Sequence, residues 1–196
     1  MTATVTSDDL RYMDVALALA YARLGATAPN PSVGCVIVKD NRIVGAAATA
    51  PGGRPHAETQ ALDLAGPNAE DATVYVTLEP CSHYGKTPPC AEALVAAKPA
   101  RVVVACIDPF ESVSGRGIAR LQEAGIDVVT GVRETAAETL NHGFFTHVKT
   151  GRPAVYEDDR AGLYDALLKT EGFESREAAL DAAGAAGLTR VYQRKS

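Results

Sequence analysis

Two short strings hold the side chains best suited to chemistry: PHAE at 55–58 and EPCSHYGKTPPC at 79–90. A catalytic zinc takes three nitrogen or sulfur ligands and keeps a fourth position open for water. His56 can offer an imidazole, and Cys81 and Cys90 can offer thiolates. Glu58 follows the histidine by two residues, near a predicted helix start, so its carboxylate can face the bound water while His56 holds the metal. Cys90 stands at another predicted helix start, where free amides and the helix dipole favour a thiolate. A closed, structural zinc would want a fourth ligand. His83 could serve, but Glu58 would then have no role.

Other polar residues have two readings each. Lys86 suits a phosphate as a point charge, or is a solvated loop lysine. Arg116, between the glycines of SGRG (114–117), suits an anion or belongs to a surface turn. Asn30, between two prolines, can orient a ring amide or serve a turn. Cys35 and Cys106 lie in buried-strand patterns and read as core, and His142 and His147 fall on a late helix as structural or exposed residues.

The elements that must position these residues follow from periodicity. Leu10, Met13, Leu17, Tyr21 and Leu24 recur at helical spacing, with Thr6 or Ser7 as cap and Gly25 as stop. A Pro/Asn/Gly loop leads into strands at 33–38 and 42–48, joined as a hairpin. A helix begins near His56, and strands follow at 73–78, 101–106 and 126–130, separated by helices at 90–97 and 118–124. A further helix starts near Glu134. A hairpin followed by alternating strands and helices predicts a mixed five-stranded sheet covered on both faces, with the last three strands parallel. Both halves of the metal pattern fall at strand-to-helix junctions, where α/β sheets commonly place active sites. GRP at 151–153 marks a boundary, and 158–196 reads as two helices followed by a short LTRVY segment.

Composition narrows the function classes. The chain has 196 residues, 46% hydrophobic and 22% charged, with a net charge of −5. That is the profile of a folded domain with a short appendage. The acidic balance argues against a dedicated nucleic-acid binder. No apolar run is long enough to span a membrane, and the polar N-terminus is unlike a secretory signal. A cytoplasmic location is the expectation, with the four cysteines reduced or metal-bound.

The H-x-E and P-C strings resemble those of zinc deaminases, except that eight residues rather than two separate the cysteines. The longer spacing sets the chain apart from nucleic-acid-editing and simple cytidine-type branches. Together with APNPSVGCVIV (28–38), GGRPHAE (52–58), RVVVACIDP (101–109) and SGRG, the TLEPCSHYGKTPPC string resembles the deaminase domain of the bacterial riboflavin-biosynthesis deaminase/reductase, over about residues 8–153. The resemblance implies a cytidine-deaminase-like three-layer α/β/α sandwich and one Zn2+ per chain. It implies His56, Cys81 and Cys90 as ligands and Glu58 as the general acid/base. The implied substrate is 2,5-diamino-6-ribosylamino-4(3H)-pyrimidinone 5′-phosphate, which loses its 2-amino group as ammonia. The runner-up is a related zinc deaminase acting on another pyrimidine or purine.

By the same resemblance Asn30, Lys86 and Thr87 face substrate, and Arg116 and Thr49 are further substrate candidates. Thr49 stands where many members carry a histidine, and DPFE (108–111) where many read DPNP. After residue 153 the chain lacks the reductase opening, so no NADPH site is expected in the segment 154–196. The expected partners are the small-molecule substrate, a second copy in a homo-oligomer and, as a further protein to consider, a separate reductase. No nucleic acid or membrane partner is expected.

Overall fold

The β-branched runs of the central strands leave no polar face, and they form the middle of the sheet. In the computed structural model, which describes residues 4–84, 88–109 and 114–195, a five-stranded sheet is ordered β2-β1-β3-β4-β5. Its strands are β1 (Gly34–Lys39), β2 (Arg42–Ala48), β3 (Thr73–Leu78), β4 (Arg101–Cys106) and β5 (Asp127–Thr130). Valines 74, 76, 102, 103 and 104 are fully buried, as strands covered on both faces require. β1 pairs antiparallel with β2 and β3, whereas β3, β4 and β5 run parallel.

Helices α1 (Ser7–Tyr21) and α5 (Glu134–Thr150) pack on one face, and α2 (Ala57–Ala65), α3 (Cys90–Ala97) and α4 (Arg116–Glu123) on the other. The predicted three-layer sandwich is therefore the observed one. Thr6, not Ser7, caps α1. Its hydroxyl accepts from the Asp9 amide at 3.1 Å while Asp9 accepts from the Thr6 amide at 2.8 Å. Asp9 is fully buried and also takes two bonds from the Arg101 guanidinium, at 2.6 and 3.0 Å, and one from the Tyr75 hydroxyl at 3.2 Å. These tie α1 across the sheet to β4.

Register gathers the future site at one end of the sheet. Gly34 pairs with Ala48, Cys35 with Val76, and Leu78 with Cys106. Because β1 runs opposite to β3, the loop entering β1 sits beside the loops leaving β2, β3 and β4. Residues far apart in sequence thus meet there without any long excursion of the chain.

Beyond residue 153 the structure departs from the expected two helices. β6 (Ala154–Glu157), β7 (Ala166–Leu167) and β8 (Arg190–Gln193) form a second, parallel sheet ordered β6-β8-β7, with α6 (Arg176–Ala185) between β7 and β8. The first expected helix is replaced by a turn because Asp158 diverts the backbone. Its carboxylate accepts from the amides of Asp159 at 2.8 Å and Arg160 at 3.0 Å, and from the Tyr164 hydroxyl at 2.7 Å. No helix among the described residues is long and apolar enough to cross a membrane.

Candidate active site

His56 is the N-cap of α2, and Glu58 lies in the first turn of that helix. Cys90 is the first residue of α3, following the loop that leaves β3. The Cys90 amide donates to the Cys81 sulfur at 3.3 Å, so the start of α3 points a free N–H at the neighbouring thiol. His56 Nδ1 lies 3.3 Å from Cys90 Sγ and 3.7 Å from Cys81 Sγ. One donor atom from each residue falls within 4.8 Å of the others, the one such trio among the described residues.

These separations fit zinc. Tetrahedral bonds of about 2.05 Å to nitrogen and 2.3 Å to sulfur place the two donors about 3.6 Å apart, and the observed 3.3 and 3.7 Å bracket that value. The donor set has no fourth member, as a catalytic site with an open position requires. His83 is exposed and lines the same cavity, but it stands outside the trio.

The protonation pattern points the same way. A hydrogen bond from Cys90, and then one from His56, hold the Cys81 thiol down at about 4 against the opposing effect of burial. Cys90 retains its proton, chiefly through the same bond to Cys81 and then through burial. His56 is raised, first by its bond to Cys81. A bound divalent metal would displace the protons of these groups, because thiolate and neutral imidazole are the ligating forms. Glu58 is only 4% exposed, and burial, followed by the Cys81 charge, raises its pKa.

His56, Cys81 and Glu58 line a cavity of about 250 Å³, with Cys90 buried beside them. Its apolar wall includes Val33, Leu78, Phe144 and Val148, and its polar wall includes Asn30, Thr49, Arg54 and Asp108. An apolar slot with a few converging polar groups suits a flat heterocycle. Asn30 and Thr49 therefore reach the cavity as the sequence suggested. The Thr49 hydroxyl is engaged by Val33, accepting from its amide at 3.0 Å, so the residue also pins the ends of β1 and β2 together. Lys86 and Thr87 lie outside the described residues, as do Phe110 and Glu111 of DPFE.

Arg116 is not brought to the site. It is exposed on the first turn of α4 and is absent from the cavity wall. The SGRG turn serves a different residue, Glu79, which the sequence reading passed over. Glu79 is buried, and its carboxylate accepts from the amides of Gly115 and Gly117 at 2.9 Å and of Asp108 and Ile118 at 3.3 Å. A Cβ on Gly117 would collide with the Pro80 carbonyl, at 2.0 Å. The glycines thus let α4 approach the Glu79 clamp, and Arg116 between them faces solvent. Asp108, Arg54 and Phe144 on the cavity wall were also missed. The adjacency of Glu79 to Pro80-Cys81 and the paired glycines were the available signals.

Comparison with known proteins gives a consistent picture. The family described as "Cytidine and deoxycytidylate deaminase zinc-binding region" matches residues 6–106. The riboflavin biosynthesis protein RibD of Escherichia coli is 54% identical over 147 residues, which is 75% of this chain and 40% of that protein. A diaminohydroxyphosphoribosylamino-pyrimidine deaminase of Buchnera aphidicola is 49% identical over 146 residues, 74% of this chain and 99% of that one. Among solved structures, Acinetobacter baumannii RibD superposes with a TM-score of 0.72 at 52% identity, covering 75% of this chain and 42% of that one. The chain spans about two fifths of the length of the first curated relatives it matches.

Proposed function

The chain belongs to the cytidine and deoxycytidylate deaminase zinc-binding family, in the branch of the diaminohydroxyphosphoribosylamino-pyrimidine deaminases, and from that premise we propose that it deaminates 2,5-diamino-6-ribosylamino-4(3H)-pyrimidinone 5′-phosphate. The products are the 5-amino-6-ribosylaminouracil 5′-phosphate and ammonia. The observation that carries this reading is the His56, Cys81 and Cys90 trio beside buried Glu58, with His56, Cys81 and Glu58 lining a slot sized for one heterocycle. Residues 1–153 form the catalytic unit in this reading and hold one zinc ion.

When bound, zinc supplies a Lewis acid that makes water a nucleophile near neutral pH. His56 and the two cysteines hold it, and the α2 and α3 termini fix their spacing. Glu58 acts as general base toward the attacking water and then as general acid. It gives the proton taken from water to the ring nitrogen beside C2, then takes a second proton from the oxygen added at C2 and passes it to the amino group, so that ammonia leaves as the C2–N bond breaks and the C2=O bond forms. Its burial keeps that proton out of bulk water. Asn30 and Asp108 offer polar contacts to the edge of the ring, while Phe144 and Leu78 cover its faces and exclude solvent.

The test is ammonia release from the diaminopyrimidinone ribosyl phosphate compared with cytidine, deoxycytidylate and guanine. Turnover confined to the first supports the assignment. Turnover of cytidine, deoxycytidylate or guanine alone transfers the protein to the related-deaminase reading.

A further inference from the structure

We propose that the segment 154–195 is a back wall of the substrate slot: through Tyr164, Thr189 and Arg190 it fixes α5 and the loop entering β1, and so positions Phe144 and Asn30 against the cavity. Arg190 is the centre of this contact. Its guanidinium donates to the Leu140 carbonyl of α5 at 3.2 Å, to the Tyr156 hydroxyl at 3.0 Å and to the Leu163 carbonyl at 3.3 Å. It also lies over the Tyr156 ring, 4.3 Å from the centroid. The Asp165 carboxylate holds the approach to β8, accepting from the Thr189 amide at 2.7 Å and the Arg190 amide at 2.8 Å.

The two bodies meet at backbone distance. A Cβ on Gly143 of α5 would lie 2.7 Å from the Thr189 carbonyl oxygen and would also strike the Arg190 side chain. A Cβ on Gly25 would lie 2.6 Å from the Tyr164 amide nitrogen. Leu163 packs on the buried cluster of Ala20, Leu24 and Leu140. At Gly25 and Gly143 the backbones leave no room for a side chain.

From these contacts a short path leads to the cavity. Asn141, beside Leu140, accepts from the Ser32 amide at 3.1 Å, and the Ser32 hydroxyl donates to the Ala20 carbonyl at 2.6 Å. Within the same loop the Thr27 hydroxyl donates to the Asn30 carbonyl at 3.1 Å. Asn30 and Phe144 therefore sit on elements clamped from behind by the extension, whereas the trio and Glu58 sit on α2, α3 and the loop after β3. Loosening the wall should disturb substrate placement and leave metal and proton transfer intact. Tyr164 and Arg190 are thus positioning residues.

The kinetic arm rests on the substrate proposed above. Arg190→Ala loosens the contact from the extension, Gly143→Ala pries it apart from α5, and Tyr156→Phe removes a single bond to Arg190. We expect each variant to keep one zinc per chain and a kcat within about twofold of the parent. KM should rise about tenfold for Arg190→Ala and Gly143→Ala, and less for Tyr156→Phe. Amide hydrogen exchange at Asn30 and Ser32 should quicken in the same order.

The proposal fails if exchange at Val191 and Tyr192 quickens while KM and exchange at Asn30 and Ser32 stay at parent values. It fails equally if zinc and kcat are lost together in all three variants. If the parent protein does not turn over the substrate, the functional reading has failed instead, and the exchange measurements still decide the role of the wall.

Discussion

Replacing Glu58 with glutamine separates metal binding from proton transfer. The amide is nearly isosteric, and Glu58 is not a member of the donor trio. His56 keeps its N-cap position, and Cys81 and Cys90 keep their mutual contact. Zinc should therefore stay at one per chain. What is lost is the group that takes a proton from water and returns it to the substrate. Positioned general acid–base catalysis contributes about 10²–10⁴-fold, or roughly 2.7–5.4 kcal/mol of barrier. Because one carboxyl serves both directions here, the expected fall in kcat lies toward the upper end. Stability should not fall, since burial and the Cys81 charge both disfavour a carboxylate at this position and the amide carries no charge. The assay combines ammonia release, bound zinc and thermal midpoint on one preparation. Activity within tenfold of the parent, with zinc loaded and the midpoint unchanged, would refute the role given to Glu58.

Cys90→Ser and Cys81→Ser should each bring bound zinc well below one per chain, measured by metal analysis after gel filtration, because hydroxyl oxygen is a poor replacement for thiolate. Glu79→Gln should keep zinc yet lose charge-assisted bonds to four amides, at a cost of about 1.5–3 kcal/mol and a drop in Tm of roughly 3–12 °C; an unchanged Tm would contradict the clamp. Arg101→Ala leaves the Asp9 carboxylate buried and unpaired, and should cost about 3–5 kcal/mol in a denaturant titration. Burial alone would raise the Asp9 pKa, but its bonds from Arg101 and Thr6 hold it below the usual range. Its stabilisation is thus complete above the unfolded pKa of about 3.9 and is lost as pH falls through the lower folded value. Acid titrations of Asp9→Asn should lack that part of the slope.

The readability of the site in the sequence varied with the reach of its contacts. His56, Glu58, Cys81 and Cys90 were legible because their donor chemistry is unusual and each half lies within a few residues of a predicted helix start. The strands at 73–78 and 101–106 were legible because β-branched runs bounded by turns admit little else, and 42–48 because a turn joins it to the strand before it as a hairpin. Glu79 was not, since its four amide partners lie 29 to 39 positions downstream and its adjacency to Pro80-Cys81 does not by itself mark a buried carboxylate. Of the two readings of Arg116, its exposure on α4 favours the surface turn, and the flanking glycines serve the backbone. The segment after 153 misled most. Its alanine, glutamate and leucine content favours helix, whereas β6, β7 and β8 are two to four residues long and pair in parallel across the sequence. Strands that short depend on tertiary pairing rather than local propensity.

The most direct test of the account is turnover of the diaminopyrimidinone ribosyl phosphate by the purified chain before chelation, after chelation and after zinc is restored. The account predicts one ammonia released per substrate consumed, loss of activity with the metal, and recovery on adding zinc. Absence of ammonia release from the fully zinc-loaded protein, or release unaffected by removal of the metal, would contradict it.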